Sequence, residues 1–233
     1  MEINDSRILV AGATGTLGGR LARLLSEEGA ALALAGRDAD ALAGMASELG
    51  GVPAVALELT DPASPAAAVS GAADALGGLD GLVVATGAVA FGTAGELDDG
   101  VTRELFAVNA LGPIALVRAA LERIEGPGAV ACLSAIVADF PTAGMGSYSA
   151  SKAALSAYLA AVRREVRKQG VTVLDVRPPH LDTPFSERAL AGEPPKLPEP
   201  GDPDEVARAV IDALREGKRE LAYDIKQKEL AAS

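Results

Sequence analysis

The sequence predicts a three-layer α/β/α fold in which helices cover both faces of a doubly wound, mainly parallel sheet of seven strands. Short apolar runs alternate with segments whose apolar residues recur at helical spacing, which is the pattern of parallel strands joined by crossover helices. A glycine-rich loop follows the first apolar run and opens the first helix. A chain of 233 residues can bury one substantial core, and neither an internal repeat nor a charge block marks a second unit. We therefore expect residues 1–233 to form one domain.

Charge and composition limit the partners. The formal net charge is −11, which argues against nucleic acid or an anionic membrane surface. The single cysteine, Cys132, lies in an apolar run and is interpreted as a small buried hydrophobe. The N-terminus has no basic region followed by a long apolar segment, and no window reaches the roughly 18 apolar residues of a membrane span. We expect a soluble, cytoplasmic protein.

The first strand, Arg7–Ala11, is followed by GATGTLGG and by a helix that ends at Gly29. Glycines in such a loop allow the backbone to turn tightly and to approach a pyrophosphate, which then lies at the positive end of the helix dipole. The glycine spacing, GxxGxxG, differs from the GxGxxG fingerprint. The loop residues predicted to contact a dinucleotide are Gly12, Thr14, Gly15, Thr16, Leu17 and Gly18.

The second strand, Ala31–Ala35, leads into Gly36, Arg37 and Asp38. In Rossmann-like dinucleotide-binding folds, an acidic residue at this point holds the ribose 2′-hydroxyl of NAD, whereas a nearby arginine accommodates the 2′-phosphate of NADP. Gly36 with Arg37 therefore favours NADP(H) over NAD(H). Asp38 is interpreted as the N-cap of the next helix. The alternative, that Arg37 is an ordinary solvated loop charge, stays open.

The remaining elements alternate in the same way. Further strands are predicted at 53–59, 79–85, from Ala129 onward, at 171–176 and at 220–223, and further helices at 62–78, 102–124, 146–169 and 204–216. Asn109 and Gly112-Pro113 interrupt the helix at 102–124, and a kink alone would explain that interruption. Leu59, the last residue of one of these strands, and Gly87, which follows another, are also predicted to contact the cofactor. The proline-rich stretch 184–203 is predicted to be a lid.

Tyr148 and Lys152 lie four residues apart on the helix at 146–169, so that both side chains share one face. A cation beside a phenol favours the phenolate, and we expect it to lower the pKa of Tyr148. The pair is then suited to proton exchange with a hydroxyl or carbonyl oxygen. For the two residues alone, a partly buried tyrosine beside a snorkelling lysine is the more common explanation. His180 is the only histidine, which makes a metal site an unlikely interpretation.

Taken together, these residues resemble the short-chain dehydrogenase/reductase family in its single-domain form, over essentially the whole chain. The segment Tyr148–Ala154, YSASKAA, is similar to the family's YxASKaA motif. The glycine loop, Asn109 in VNALG, and Pro178, Leu181 and Thr183 support the same resemblance.

The resemblance implies hydride transfer between a nicotinamide cofactor and an alcohol/carbonyl pair. Tyr148 would be the general acid or base, and Lys152 would lower its pKa and hold the nicotinamide ribose. Asn109 would hold a proton-relaying water. The backbone at Leu181 and the hydroxyl of Thr183 would orient the nicotinamide carboxamide, and Pro178 would be a further cofactor-binding residue. A homodimer or homotetramer, packed through the helices at 102–124 and 146–169, is also implied.

The sequence departs from the family pattern at the catalytic serine, a position that Ala135 occupies here. Ser134 is one residue earlier, and a one-residue slip in a strand points the side chain to the opposite face. Ser134 therefore substitutes only if a bulge or the end of the strand redirects it. Thr142, Ser147 or a water are other candidate donors.

Three smaller departures concern the cofactor side. Gly15 gives the glycine loop a spacing closer to the extended, epimerase-type relatives. Thr86 and Gly87 end a segment, VATG, that stands where the family has NNAG, and Pro179 replaces the glycine of the family's PG segment. Proline fixes φ and removes an N–H, so we expect a different path for that loop.

The leading hypothesis is an NADP(H)-dependent oxidoreductase that interconverts a carbonyl and an alcohol on a small, fairly apolar substrate. The alternative is a dinucleotide-binding sensor or scaffold with little turnover, which Ala135 motivates. An epimerase or dehydratase rests on the glycine spacing alone, and the short C-terminal part argues against it.

Overall fold

All strands of the protein lie in one sheet. The computed structural model describes residues 1–233, and the strand order is β3-β2-β1-β4-β5-β6-β7-β8. Neighbouring strands pair in parallel up to β7, and β8 is antiparallel to β7. The strands are β1 (Arg7–Ala11), β2 (Ala31–Gly36), β3 (Ala54–Ala56), β4 (Gly81–Val84), β5 (Gly128–Leu133), β6 (Val171–Arg177), β7 (Glu220–Asp224) and β8 (Glu229–Ala232).

Helices cover both faces of this sheet, which confirms the predicted three-layer fold. They are α1 (Thr16–Glu27), α2 (Ala39–Glu48), α3 (Ser64–Leu76), α4 (Asp99–Phe106), α5 (Gly112–Leu121), α6 (Gly146–Glu165) and α7 (Pro203–Arg215). Buried side chains of α1, α2 and α7 form one core with the sheet. Those of α3, α5 and α6 form the core on the other face.

The prediction of seven strands is wrong by one, because the chain returns along β7 as β8. The turn between them contains no glycine. Instead, the Asp224 carboxylate accepts hydrogen bonds from the backbone N–H groups of Lys226 and Gln227, and Lys228 adopts a positive φ of 56°. Since an aspartate can organise a turn through its side chain, the hairpin forms without the glycine signal on which a sequence-based prediction depends.

The long helix predicted at 102–124 begins earlier and contains a π-helical turn. Helix α4 continues through the π-helical residues Ala107–Leu111 into α5, and Asn109 lies in that turn. A π-turn inside a helix is a common feature of functional sites, and it explains the irregularity without a kink at Gly112-Pro113. The stretch Asp99–Leu121 is long and apolar enough to cross a membrane, but 56% of its most apolar window is buried in the protein.

The strand order reverses beside β1, whose neighbours are β2 and β4. In open α/β sheets, the connections at the carboxyl ends of such neighbouring strands leave in opposite directions and create a crevice between them. The loops after β1 and β4 begin at Gly12 and Ala85. The predicted glycine loop therefore lies at this crevice.

Candidate active site

Three glycines after β1 form a close backbone cradle. Gly12 has a φ of +82°, and a Cβ there would lie 2.9 Å from the carbonyl of Ala85 on the neighbouring strand end. A Cβ on Gly18 would lie 2.1 Å from the carbonyl oxygen of Gly12. Because only glycine permits both the positive φ and these approaches, the residues explain how the start of α1 packs so close to β1.

The N-terminus of α1 is open to an anion. Gly15 is its N-cap, no side chain caps the helix, and no acidic residue lies in its first turn. The backbone N–H groups there have no intrahelical partner and lie at the positive end of the helix dipole. A pyrophosphate fits this cradle. Thr14, Thr16 and Leu17 lie in the same loop, and a Cβ on Gly36 of β2 would be 3.5 Å from the Thr14 hydroxyl.

The end of β2 leaves Arg37 exposed. Asp38 caps α2, as predicted, and its Oδ1 accepts a hydrogen bond of 2.9 Å from the Ala41 N–H. The pKa of Glu58 is lowered, mainly by hydrogen bonds from Thr60 and also by the nearby charge of Arg37. Arg37 therefore lies between the ends of β2 and β3, and its guanidinium makes no salt bridge. Leu59, which follows Glu58, is buried.

Asn109 ties three parts of the site together. Its side chain is buried, with its Oδ1 accepting from the Ala88 N–H at 2.9 Å and its Nδ2 donating to the Ala88 carbonyl at 2.8 Å. The same Nδ2 donates to the Ser151 hydroxyl of α6 at 3.0 Å. Both N–H bonds of the amide are thus used within the protein. Asn109 fixes the loop after β4 against α6, and Gly87 lies in that loop.

Tyr148 and Lys152 are both buried, one helical turn apart on α6, and Lys152 lies beside Gly87. A Cβ on Gly87 would lie 3.5 Å from the Lys152 Nζ and equally far from the Asn109 Oδ1. The Lys152 ammonium donates a 2.9 Å hydrogen bond to the Leu133 carbonyl at the end of β5. The structure therefore brings the predicted pair, Asn109 and Gly87 to one place at the carboxyl edge of the sheet.

The pKa of Tyr148 shifts in the direction opposite to the prediction. Burial raises it above its usual value, since the charged phenolate is disfavoured away from water. Burial also lowers the pKa of Lys152 to about 8. At neutral pH the phenol is therefore protonated, which suits a proton donor, and Lys152 is still mainly an ammonium because its pKa lies above neutral.

Ala135 and Ser134 point to different neighbours. The methyl group of Ala135 belongs to an apolar cluster with Tyr148, Val137 and Met145. The Ser134 hydroxyl lies 2.5 Å from Asp175 Oδ1 and 3.2 Å from the Val176 carbonyl, both on β6. The end of the strand thus does not redirect Ser134 toward Tyr148, and the slip argument holds.

The other candidate hydroxyls are also engaged. The Ser147 and Thr102 hydroxyls are 3.0 Å apart, and the Thr142 hydroxyl donates to the Phe140 carbonyl at 3.3 Å.

The loop after β6 borders the same crevice. The carbonyl of the buried Pro178 accepts a hydrogen bond from the Ile136 N–H, Leu181 is buried and bridges to Gly201, and Thr183 is half-buried. The predicted lid, residues 184–203, then passes over Tyr148.

Two backbone hydrogen bonds fasten that lid to the loop after β4: Leu190 donates to Val89, and Phe91 donates to Ala191. The Phe185 ring lies 6.5 Å from the ring of Tyr148, and its tip is 3.5 Å from the position of a Cβ on Gly87.

Sequence reasoning missed three residues of this region. Nothing in the sequence around Phe185 indicates that it lies in the site, because its position depends on the path of the lid. Ser151, a partner of Asn109, is an unremarkable position of the YSASK segment. Asp175 carried a signal that was overlooked: it is an acidic residue within the apolar run VTVLDV, and it is 1% exposed.

Comparisons with known proteins identify the family of this chain. The profile of the family described as short chain dehydrogenase matches residues 6–194. The mouse dehydrogenase/reductase SDR family member 7B is 27% identical over 236 residues, which cover 94% of this chain and 73% of the relative. A short chain dehydrogenase from Burkholderia cenocepacia, solved in complex with NADP, is 26% identical, with a TM-score of 0.81 over 92% of both chains.

An alcohol dehydrogenase from the archaeon Thermococcus sibiricus, complexed with 5-hydroxy-NADP, is 27% identical, with a TM-score of 0.82 over 93% of this chain and 95% of that one. The profile spans most of the chain, and the fold agrees with it. The protein is therefore an oxidoreductase of the short-chain dehydrogenase/reductase family, which binds nicotinamide cofactors.

Proposed function

We propose that the protein is an NADP(H)-dependent oxidoreductase that interconverts a carbonyl and an alcohol on a small, apolar substrate. The observation that carries this proposal is the burial of Tyr148 and Lys152 one helical turn apart on α6, with Lys152 beside Gly87 in the loop after β4. A phenol held in this position can exchange a proton with a substrate oxygen.

The chain's own residues would hold the cofactor in a defined orientation. The bound nicotinamide supplies or accepts the hydride. The cradle formed by Gly12, Gly15 and Gly18 would bind its pyrophosphate, and Lys152 would hold the nicotinamide ribose. Leu181 and Thr183 would orient the carboxamide.

Two observations support NADP(H) over NAD(H). Arg37 is exposed at the end of β2 without a salt bridge, and Asp38 is committed to capping α2. A free guanidinium at this place suits a 2′-phosphate. The relatives solved with NADP or its analogue support the same choice.

Tyr148 would act as the general acid in reduction and as the base in oxidation. Its raised pKa keeps the phenol protonated at neutral pH, so the proton is available for the carbonyl oxygen. The surrounding cluster is apolar and includes Val137, Met145 and Leu105, which supports a substrate without charge. The lid at 184–203 would exclude water.

Self-association and location complete the proposal. We propose a cytoplasmic homodimer or homotetramer packed through α4–α5 and α6. A cavity of about 400 Å³ on the outer side of α5 and α6 is lined partly by Leu121, Tyr158 and Val162, which supports an interface there. Light scattering coupled to size-exclusion chromatography measures the mass.

The test follows NADPH absorbance and fluorescence together with a mixed panel of ketones, diketones and quinones. Because the chain has no tryptophan, cofactor emission is free of indole background. We expect NADPH consumption with at least one compound, slower consumption of NADH, and loss of turnover in Tyr148→Phe with cofactor binding retained. Turnover that persists in Tyr148→Phe would contradict the role of the phenol.

A second candidate is a cofactor-binding sensor with little turnover. It is favoured by Ala135, which carries no hydroxyl at the position of the family's serine, and by Ser134, whose hydroxyl is bound to Asp175. Tight NADPH binding without consumption of any panel compound would favour the sensor. Failure to bind either cofactor would contradict both candidates.

A further inference from the structure

A cluster of buried charges lies beneath the active site. Asp175 on β6 is 1% exposed, and its Oδ2 lies 2.5 Å from the Arg177 Nη1. Its other oxygen accepts the hydrogen bond from Ser134. The Arg177 Nη2 also lies 2.8 Å from Glu220 Oε2. Its Nε lies 2.7 Å from Asp139 Oδ2, but the Nε–H makes no hydrogen bond there. Asp175 is therefore the enclosed member of a network whose other carboxylates are partly exposed.

Asp175 and Lys152 approach the same end of β5. Cys132 is the direct partner of Asp175 in the sheet, and the Lys152 ammonium binds the carbonyl of the next residue, Leu133. Ser134, the residue after that, holds the Asp175 carboxylate. The ammonium and the carboxylate are thus hydrogen-bonded to consecutive residues at the end of β5, Leu133 and Ser134, and both are shielded from water.

We propose that Asp175 is a positioning residue for the reaction, in which it acts as the buried counter-charge that keeps Lys152 protonated, while Ser134 orients its carboxylate. The proposal rests on the proposed function, in which Lys152 holds the nicotinamide ribose. It gives Ser134 a role that does not require contact with substrate.

The other groups around Lys152 do not supply this charge. Tyr148, on the same helix, and Cys132, on β5, are both neutral at neutral pH because burial raises their pKa values. Asn109 and Phe185, which face the site from the π-turn and the lid, do not titrate. Arg177 opposes the effect, and Glu220 and Asp139 partly offset its charge.

Two opposing effects set the pKa of Lys152. Burial lowers the pKa of Lys152 to about 8, and Cys132 and the charge of Asp175 act in the opposite direction. An ammonium in a site of low dielectric loses its proton readily unless an anion lies nearby. Removing the negative charge should therefore move the titration of Lys152 into the neutral range.

The test is the dissociation constant of NADPH, measured by cofactor fluorescence between pH 6.5 and pH 9.5. For the wild-type protein, we expect affinity to fall as pH rises through about 8, because the ammonium is lost above its pKa. Asp175→Asn keeps the hydrogen-bonding shape and removes the charge. In this variant, the break (the pH at which NADPH affinity begins to fall) should be lower by half a unit or more. At pH values above the break, this shift corresponds to about threefold weaker binding than in the wild-type protein.

Two variants control for structural effects. Asp139→Asn removes a carboxylate from the exposed side of Arg177 and should leave the break in place. Arg177→Gln keeps a hydrogen-bonding group at Asp175 but removes the competing cation, so its break should move to higher pH. Lys152→Met should bind NADPH weakly and show no break.

An Asp175→Asn break that coincides with the wild-type break would overturn the proposal. If Asp175→Asn does not fold, the Arg177→Gln variant tests the proposal instead. A break in Arg177→Gln at the wild-type pH or below it would then overturn the proposal. Absence of NADPH binding in the wild-type protein would contradict the proposed function instead.

Discussion

Ala135 is the residue that most limits the chemistry of this site. Its methyl group lies in the apolar cluster with Tyr148, and the nearest serine in the chain, Ser134, is bound to β6. A substrate oxygen held at Tyr148 would therefore lack the second hydroxyl donor that the family resemblance implies. Weak turnover is the expected consequence.

Ala135→Ser should restore that donor. We expect kcat for a ketone to rise about 10- to 100-fold, since one donor aimed at a developing oxyanion contributes about 10²–10³ in rate. The NADPH dissociation constant should not change. Steady-state kinetics measures the gain, and the double variant Ala135→Ser/Tyr148→Phe is the control. An equal gain in that background would show that the new hydroxyl acts without the phenol.

Gly18 and Gly44 offer a matched pair of glycines in helices. A Cβ on Gly18 would meet the Gly12 backbone at 2.1 Å, whereas a Cβ on Gly44 has nothing within 4 Å. We expect Gly18→Ala to lower the free energy of unfolding by about 1–3 kcal/mol through overpacking and to weaken NADPH binding.

Gly44→Ala should raise the free energy of unfolding by about 0.5–1 kcal/mol, because alanine is the better helix former. Urea unfolding followed by circular dichroism measures both values. Equal effects of the two substitutions would contradict the close packing of α1 on β1.

At the scale of elements, the lid and the π-turn shape the site. The lid is fastened to the loop after β4 by two backbone hydrogen bonds, and the π-turn positions Asn109 to hold that same loop against α6. Gly87 is thus bordered by Asn109, Lys152 and the ring of Phe185. In the proposed function the nicotinamide ribose lies near Lys152, and this ring is adjacent to that space.

Phe185→Ala should therefore tighten NADPH binding, because the cofactor would no longer need to displace the ring. The dissociation constant should fall by at most about tenfold, or about 1.4 kcal/mol. Fluorescence titration measures it. The control is Ile225→Ala, which removes an exposed side chain from the turn between β7 and β8. Weaker binding in Phe185→Ala would mean that the ring contacts the bound cofactor.

At the scale of the whole molecule, arginines join α6 to the sheet. Arg163 of α6 donates to the Val173 carbonyl of β6 and pairs with Glu220 of β7 at 3.0 Å. Arg177 pairs with the same Glu220 and with Asp175. These contacts hold α6, the helix that carries Tyr148 and Lys152, against β6 and β7.

Arg177→Leu should lower the free energy of unfolding by about 3–5 kcal/mol, since it removes the only cation that is hydrogen-bonded to the buried Asp175 carboxylate. Arg23→Leu is the control, because the pair of Arg23 with Glu48 is largely exposed and should contribute less than about 1 kcal/mol. Urea unfolding measures both variants. A loss below about 1 kcal/mol in Arg177→Leu would contradict the importance of the buried pair.

Much of the fold and the cofactor cradle could be predicted because their signals are local. The strand, glycine loop and helix that contain Gly12 and Gly18 are contiguous, Asp38 caps the helix that follows it, and Tyr148 and Lys152 share a helical face through their spacing. Alternation of strands and helices was sufficient to predict a parallel sheet. The strand β8 was not predicted because Asp224, rather than a glycine, organises the turn that precedes it.

The sequence by itself determined the fold class, the place of the cradle and the pairing of Tyr148 with Lys152, because each depends on residues only a few positions apart. The tertiary structure alone decided the pKa direction of Tyr148, the partner of Ser134 and the position of Phe185. Each of these depends on burial or on contacts between residues distant in the chain, such as the 41 positions that separate Ser134 from Asp175. Spacing along a sequence specifies the first kind of contact, whereas desolvation and long-range pairing arise only when the elements pack.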